Sequence, residues 1–343
     1  MKTAQSKNAK KAYDIIQNLQ TYFVEKLNAL SKDLGEDKPF EPTQWLRDEG
    51  EHGGGKRYFA KDERLFNAAS VNVSQVHYDD LAQKNLSSAS ALSTIIHPKN
   101  PHAPSIHIHI SLTELRDGAH YWRVMADLNP SLFYEEDKKT FDAMLQISAP
   151  DTYKEAMKQG EKYFNIPALK RHRGVSHFYL EEYTMQSSAE EMKFVEHFTR
   201  NVIDCYIAIL DKAIQTRCSV TSKDISQQLA YHTLYLFQVL TLDRGTTAGL
   251  LIHNQNDLGI LASLPAYVDT NLLSSWVKKL KAPQNELLQE IVDTINIDGK
   301  IDDAVKKRFA FILREHYTKH PDALELQASG EITPNTLENH ATL

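Results

Sequence analysis

The stretch "HPKNPHAPSIHIHISL", residues 97–112, is dense in histidine, and His107 and His109 alternate with isoleucine. Residues two apart on a strand share a face, so these two imidazoles can converge on one ligand. Three chemistries are open to them. They can bind zinc if a third and fourth ligand join; His77, His97, His102, Glu114 and Asp127 are candidates, and no spacing selects among them. One of them can handle a proton, or both can simply pack.

Four other stretches carry reactive or anion-binding residue types. In "EGEHGGGKRYF" three glycines precede Lys56 and Arg57. That pattern is either a backbone cradle for an anion or a flexible surface loop. It lacks the GK[ST] ending of a nucleotide phosphate loop. "RHRGV" sets Arg171, His172 and Arg173 side by side, as a solvated turn or a cationic cluster. "DRGT", Asp243 to Thr246, reads as a turn capped by Asp243. Asp127 in "MADLNP" closes an aromatic-rich strand. It either faces a cavity as a base or caps the turn that Asn129 and Pro130 mark.

The elements that must position these groups follow from periodicity. Ile15, Ile16, Leu19, Phe23, Leu27 and Leu30 predict an amphipathic helix over 10–31. Alternation predicts strands near 70–78 and 105–112, and short β-like runs read as strands at 120–128 and 176–184. Helical pattern covers 135–164. Ser188-x-x-Glu191 reads as a capping box opening a long helix. "TLYLFQVLTL", 233–242, is rich in β-branched and aromatic residues and reads as a buried strand. "TAGLLIHN" would be its hairpin partner across "DRGT". Helices dominate after about 270. No repeat or linker divides the chain. The fold class expected is α+β: a large antiparallel sheet flanked by helices on both sides, one domain over 1–320, with a polar tail over 321–343 that frays.

Composition limits the function classes. The chain has 343 residues, 41% hydrophobic and 24% charged, which is ordinary for a globular protein. A net charge of -6 argues against nucleic acid as the main partner. The cysteines Cys205 and Cys218 form no CxxC, and Cys205 reads as a core thiol. The polar start MKTAQSKNAKKAYD has no apolar signal core, and no run approaches the ~18 apolar residues of a membrane span. A cytoplasmic protein is expected.

Taken in order, the motifs say more than they do singly. Trp45, Arg47 and Glu49-Gly50 with the glycines that follow are succeeded by "VNVS" (71–74), "HPKNPHAPS" with His107, Asp127-Leu128 with Pro130, "HRG" (172–174), "DRGT…GL" (243–250) and "SLP" (263–265). This series resembles the oxygen-dependent coproporphyrinogen III oxidases from about Trp45 to Pro265. The resemblance implies an antiparallel sheet flanked by helices, and a homodimer. The implied reaction converts two propionates of coproporphyrinogen III to vinyl groups, releasing CO2 and using O2 with no metal or organic cofactor. The product would be protoporphyrinogen IX, in haem biosynthesis. By the same resemblance His107 is the active-site histidine, and Asp127 accepts the pyrrole N–H groups and removes a proton. Asn72, Ser74, Arg173, Arg244 and Gly245 would bind substrate.

The chain departs from the family pattern near that site. Where the family reads Asn-Tyr-Arg after the histidine, this chain has His109, Ile110 and Ser111, so a propionate-binding cation is missing. Arg123, Val124 and Met125 replace glycines before the aspartate. After "HRG" the family's glutamate, arginine and glycines give way to "VSHFYLEE". Arg123, Arg173 and Arg244 are the cations that can compensate. Two alternatives stay open: a non-catalytic member that holds haem, a porphyrin or another ligand through His109, His120 or the aromatics, and a metal-dependent enzyme built on His107 and His109.

Overall fold

The structure is a computed structural model that describes residues 1–330 and 336–340. Seven strands form one antiparallel sheet. Six of them follow one another as a meander: β1 (Glu41–Leu46), β2 (Gly53–Phe59), β3 (Phe66–His77), β4 (Leu86–Pro98), β5 (Ser105–Leu115) and β6 (His120–Asn129). The chain then runs through α2 (Glu135–Ser148) and α3 (Tyr153–Tyr163), after α1 (Lys7–Leu34) at the start. A short ladder of β7 (Asn165–Ile166) and β8 (Arg171–His172) leads to β9 (Ser176–Tyr183), which joins the sheet beside β6.

Alternation gives the sheet two unlike faces. On β5, Ile106, Ile108, Ile110 and Leu112 are buried on one face with Val71, Val73, Trp122 and Leu128. That face packs on α1 and on α4 (Ser188–Thr216), which supply Ile16, Leu19, Phe23, Val195, Phe198 and Val202. The opposite face bears the histidines. It is roofed by a second apolar cluster built from α5 (Ser222–Thr241), α6 (Arg244–Ile252), α7 (Asp257–Ile260), α8 (Thr270–Ser275), α9 (Gln284–Thr294) and α10 (Asp303–Lys319). The expected α+β architecture, with helices on both sides of an antiparallel sheet, is therefore what forms.

Several local expectations are corrected. Residues 233–242 are helix, inside α5, not strand. Every residue from Tyr231 to Thr241 is buried, so no polar stripe reveals the helical period. The start signal was nearby: Thr221 and Asp224 form a capping box. "TAGLLIHN" is α6, not a hairpin strand. Asp243 does cap, but a helix: its carboxylate accepts the Thr246 N–H at 2.7 Å. The box expected at Ser188 does not form; α4 is capped one residue earlier, where Ser187 Oγ accepts from Glu190 N. Glu191 instead turns back to the Met185 N–H at 2.8 Å and to His120 at 2.9 Å.

The glycine run is no flexible loop. It is β2, paired along β3, with Gly53 to Gly55 buried. A Cβ on Gly55 would meet the Val73 carbonyl at 2.3 Å and the Trp45 indole at 2.5 Å, so only glycine fits there. The tail expected to fray packs over its described residues. Gln327 donates to Thr247 Oγ1 at 2.6 Å and Tyr317 Oη at 2.8 Å, and Asn339 is buried. Cys205 is half-buried against the α1–α4 core rather than inside it.

Candidate functional site

The second face of the sheet and its helical roof enclose a cleft of about 260 Å³. Its floor comes from residues of one parity on neighbouring strands: Asn72 and Ser74 on β3, Ala91 and Ser93 on β4, His107 and His109 on β5. Register sets them side by side. Asn72 pairs with Ser93, Ser93 with His109, and His107 with Asp127. Small side chains on β4 leave room above them, the opposite of the isoleucines and leucines on the packed face.

At one end of the cleft His107, Asp127 and Arg173 converge. Asp127 and Arg173 are both fully buried, and Arg173 Nη2 donates to Asp127 Oδ2 at 2.7 Å. The same nitrogen lies 3.4 Å from His107 Nδ1. His107 therefore stands between the ion pair and the open cleft. Asp127 accepts two further bonds, from Asn129 Nδ2 at 2.8 Å onto Oδ2 and from His177 Nδ1 at 2.6 Å onto Oδ1. Arg173 also donates to Gln238 Oε1 on α5 at 2.8 Å, with the rings of Phe164 and Tyr235 4.6 and 4.8 Å from its guanidinium. One guanidinium thus ties the "HRG" turn, the sheet and the roof together.

The charges follow from these contacts. Burial alone would raise the Asp127 pKa, but the Arg173 and His177 charges and hydrogen bonds outweigh it and hold the carboxyl at about 2. Burial and the adjacent Arg173 push His107 down to about 4, against the opposing pull of Asp127. The imidazole is neutral at physiological pH. With Nδ1 facing the Arg173 donor, its proton belongs on Nε2.

Gly174 makes this closure possible. Its φ is +79°, and a Cβ there would lie 2.6 Å from Asp127 Oδ1 and 2.8 Å from the His177 ring. The glycine of "HRG" is needed for close approach to the aspartate.

The other sequence-predicted residues separate. Asn72, Ser74 and Gly245 line the cleft. Arg244 is turned to its edge, donating to the Leu324 carbonyl and to Glu338, both at 3.4 Å. His109 lines the cleft, with Nε2 3.2 Å from Ser111 Oγ. His120 lies away from the cleft and pairs with Glu191 near the start of α4. His97 is buried between Ser105 and the Ser263 carbonyl, and His102 contacts the Ser219 carbonyl and Tyr134. Among the described residues, no group of three or more His, Cys, Asp or Glu is arranged to hold a metal ion. No described helix is long and apolar enough to cross a membrane.

Sequence reasoning missed His177, Tyr179 and Glu181. Their signal was the alternation in "SHFYLEEY", which puts a histidine, a tyrosine and a glutamate on one face of β9. Glu181 takes Arg123 Nε and Nη2 bidentately, both at 2.6 Å. Burial opposes the charge on Arg123, but Glu181 outweighs it and keeps the guanidinium strongly protonated. In register, Arg123 stands directly opposite Ser111.

Comparison with known proteins gives the family. A profile of the coproporphyrinogen III oxidase family matches residues 11–295. The chain belongs to that family. It is 29% identical over 281 residues to the mitochondrial oxygen-dependent coproporphyrinogen-III oxidase of Rattus norvegicus, covering 75% of this chain and 61% of that protein. The Homo sapiens mitochondrial enzyme gives 29% over 281 residues, 75% and 60% of the two chains. The Drosophila melanogaster oxygen-dependent enzyme gives 27% over 277 residues, 74% and 69%. The match spans about three fifths of the mammalian relatives' length. Ser111 stands where the sequence resemblance implies a cation, and Arg123 lies across from it on the next strand.

Proposed function

We propose that this protein is an oxygen-dependent coproporphyrinogen III oxidase, converting two propionates to vinyl groups to give protoporphyrinogen IX. The observation that carries the reading is the cross-strand pair of His107 and Asp127, closed by Arg173, at the head of a cleft floored by Asn72 and Ser74. Each step balances as –CH2–CH2–COOH + O2 → –CH=CH2 + CO2 + H2O2. O2 accepts two electrons and takes up the hydrogen lost from the carbon next to the pyrrole. The bond to the carboxyl carbon breaks and its electrons form the vinyl double bond. No metal or organic cofactor enters this balance.

The residues divide the work. The His107 Nε2–H faces a ligand as a neutral donor, suited to a carboxylate or to developing peroxide. Asp127 Oδ2 already holds two donors, Arg173 and Asn129. Asp127 does not line the cleft, so a pyrrole N–H reaches it once His107 turns aside and one of those donors is replaced. Releasing Arg173 raises the proton affinity of Asp127 just as it must remove the pyrrole proton. His177 links Asp127 toward the surface, with Nε2 3.8 Å from the half-exposed Glu161. When the propionate reacts as its carboxylate, this link offers a route for the one proton each step consumes, which ends on the peroxide as H2O2.

The test is stoichiometry. Coproporphyrinogen III added to the pure protein in an oxygen electrode should consume two O2 and release two CO2 per protoporphyrinogen formed, and nothing under argon. Binding without oxygen uptake would instead support the reading in which the cleft only holds a tetrapyrrole.

A further inference from the structure

The cleft is covered at one end by chain from outside the family match. The profile ends at residue 295. Residues 336–340, comprising α11 (Thr336–Asn339) and His340, line the cleft through Thr336, Asn339 and His340. Three oxygens of this segment sit on three cations. Arg123 Nη2 donates to Thr336 Oγ1 at 3.3 Å, Arg244 Nη2 to Glu338 Oε1 at 3.4 Å, and Lys84 Nζ to the His340 carbonyl at 3.1 Å. Asn339 Nδ2 donates to Tyr121 Oη at 2.6 Å. The His340 ring stands edge-on to Tyr78 and His253, with centroids 5.7 and 5.5 Å away. The cleft that remains, about 260 Å³, is below the roughly 300–1,000 Å³ of pockets that hold drug-sized ligands.

Hydroxyl, carboxylate and carbonyl oxygens set on separated cations are what a polycarboxylate would supply. Arg123 shows the pattern clearly. Glu181 uses Nε and one N–H of Nη2, and another Nη2 N–H meets the segment's hydroxyl. We propose that residues 336–340 hold the place of an acidic ligand, and that Lys84, Arg123 and Arg244 receive its carboxylates when the segment leaves. The inference rests on the tetrapyrrole reading for the class of ligand. It supplies the cations that Ser111 lacks: one across the strand pair and two at the rim. A tethered segment competes at high effective concentration, so the ligand's apparent affinity falls with the fraction of time the cleft is open.

The test uses full-length protein and coproporphyrin III, the stable oxidised tetra-acid, followed by its fluorescence. The Glu338→Ala/Asn339→Ala/His340→Ala variant should bind it about tenfold more tightly than the wild type. Adding Lys84→Gln to that variant should weaken the acid several-fold and leave the uncharged tetramethyl ester unchanged. Thermal melts confirm that the variants fold. Equal affinity in wild type and opened variant, equal loss for acid and ester, or no binding by either protein would overturn the proposal. Turnover separates the two readings. Tighter binding in the opened variant without decarboxylation removes the oxidase and keeps the segment's role. Decarboxylation with equal affinities does the reverse.

Discussion

Asp127 and Arg173 are a fully buried ion pair, and such a pair is vulnerable on one side at a time. Removing the charge in Asp127→Asn leaves Arg173 buried and uncompensated, which costs about 3–5 kcal/mol. The double variant Asp127→Asn/Arg173→Gln should recover much of that stability in urea melts while oxidase turnover stays at least ~100-fold down. A double variant no more stable than the single would show that the two charges are not coupled. Acid sensitivity follows from the same groups. The Asp127 pKa is depressed to about 2, so its contribution is complete above the ordinary ~4 and fades as pH falls through 2. His107 at about 4 and His232 at about 3 are held neutral, chiefly by burial. Their unfolded forms bind protons first, near ~6.5, so stability drops as pH falls from about 6.5 toward 4. The melting temperature should decline between pH 7 and 5, before most carboxylates titrate; a flat profile there would contradict this. A bound polycarboxylate should raise the His107 pKa by bringing negative charge to the cleft, visible as a shifted imidazole titration by NMR.

At the scale of elements, the sheet's polarity was legible and its roof was not. "SIHIHISL" announced a strand with an apolar and a histidine face, and β5 has both. Its aliphatic face is structural: Ile108→Ala should cost about 2–5 kcal/mol in equilibrium unfolding with the cleft unchanged. β4 was not anticipated because "LSSASALSTIIHP" has little hydrophobic contrast; its small residues make space for a ligand rather than a core. α5 was misread because burial on every side erased its period. The "HRG" turn could be flagged as cationic, but not as the contact that closes over Asp127. That needed the register of β6 with β9, which pairs Asp127 with His177. Gly174→Ala tests it: the added methyl meets Asp127 Oδ1 in a left-handed backbone position. It should destabilise by about 1–3 kcal/mol and abolish turnover, and a fully active Gly174→Ala protein would contradict the closure described here.

For the whole molecule, two helical layers sandwich one sheet, and the interface roofed by α5 and α6 holds the cleft of His107 and His109. The α1–α4 side is continuous apolar packing. The side roofed by α5 and α6 encloses the cleft, with the C-terminal segment laid against it. The homodimer that the family resemblance implies is a further proposal, and light scattering should return twice the chain mass. The most direct test of the function is product analysis. Pure protein is mixed with freshly reduced coproporphyrinogen III in air, quenched and oxidised, and the porphyrins are resolved by fluorescence. Protoporphyrin IX should accumulate with the wild type and vanish with a folded Asp127→Asn/Arg173→Gln protein. Unchanged coproporphyrin from a folded wild type that binds the substrate would contradict the oxidase assignment.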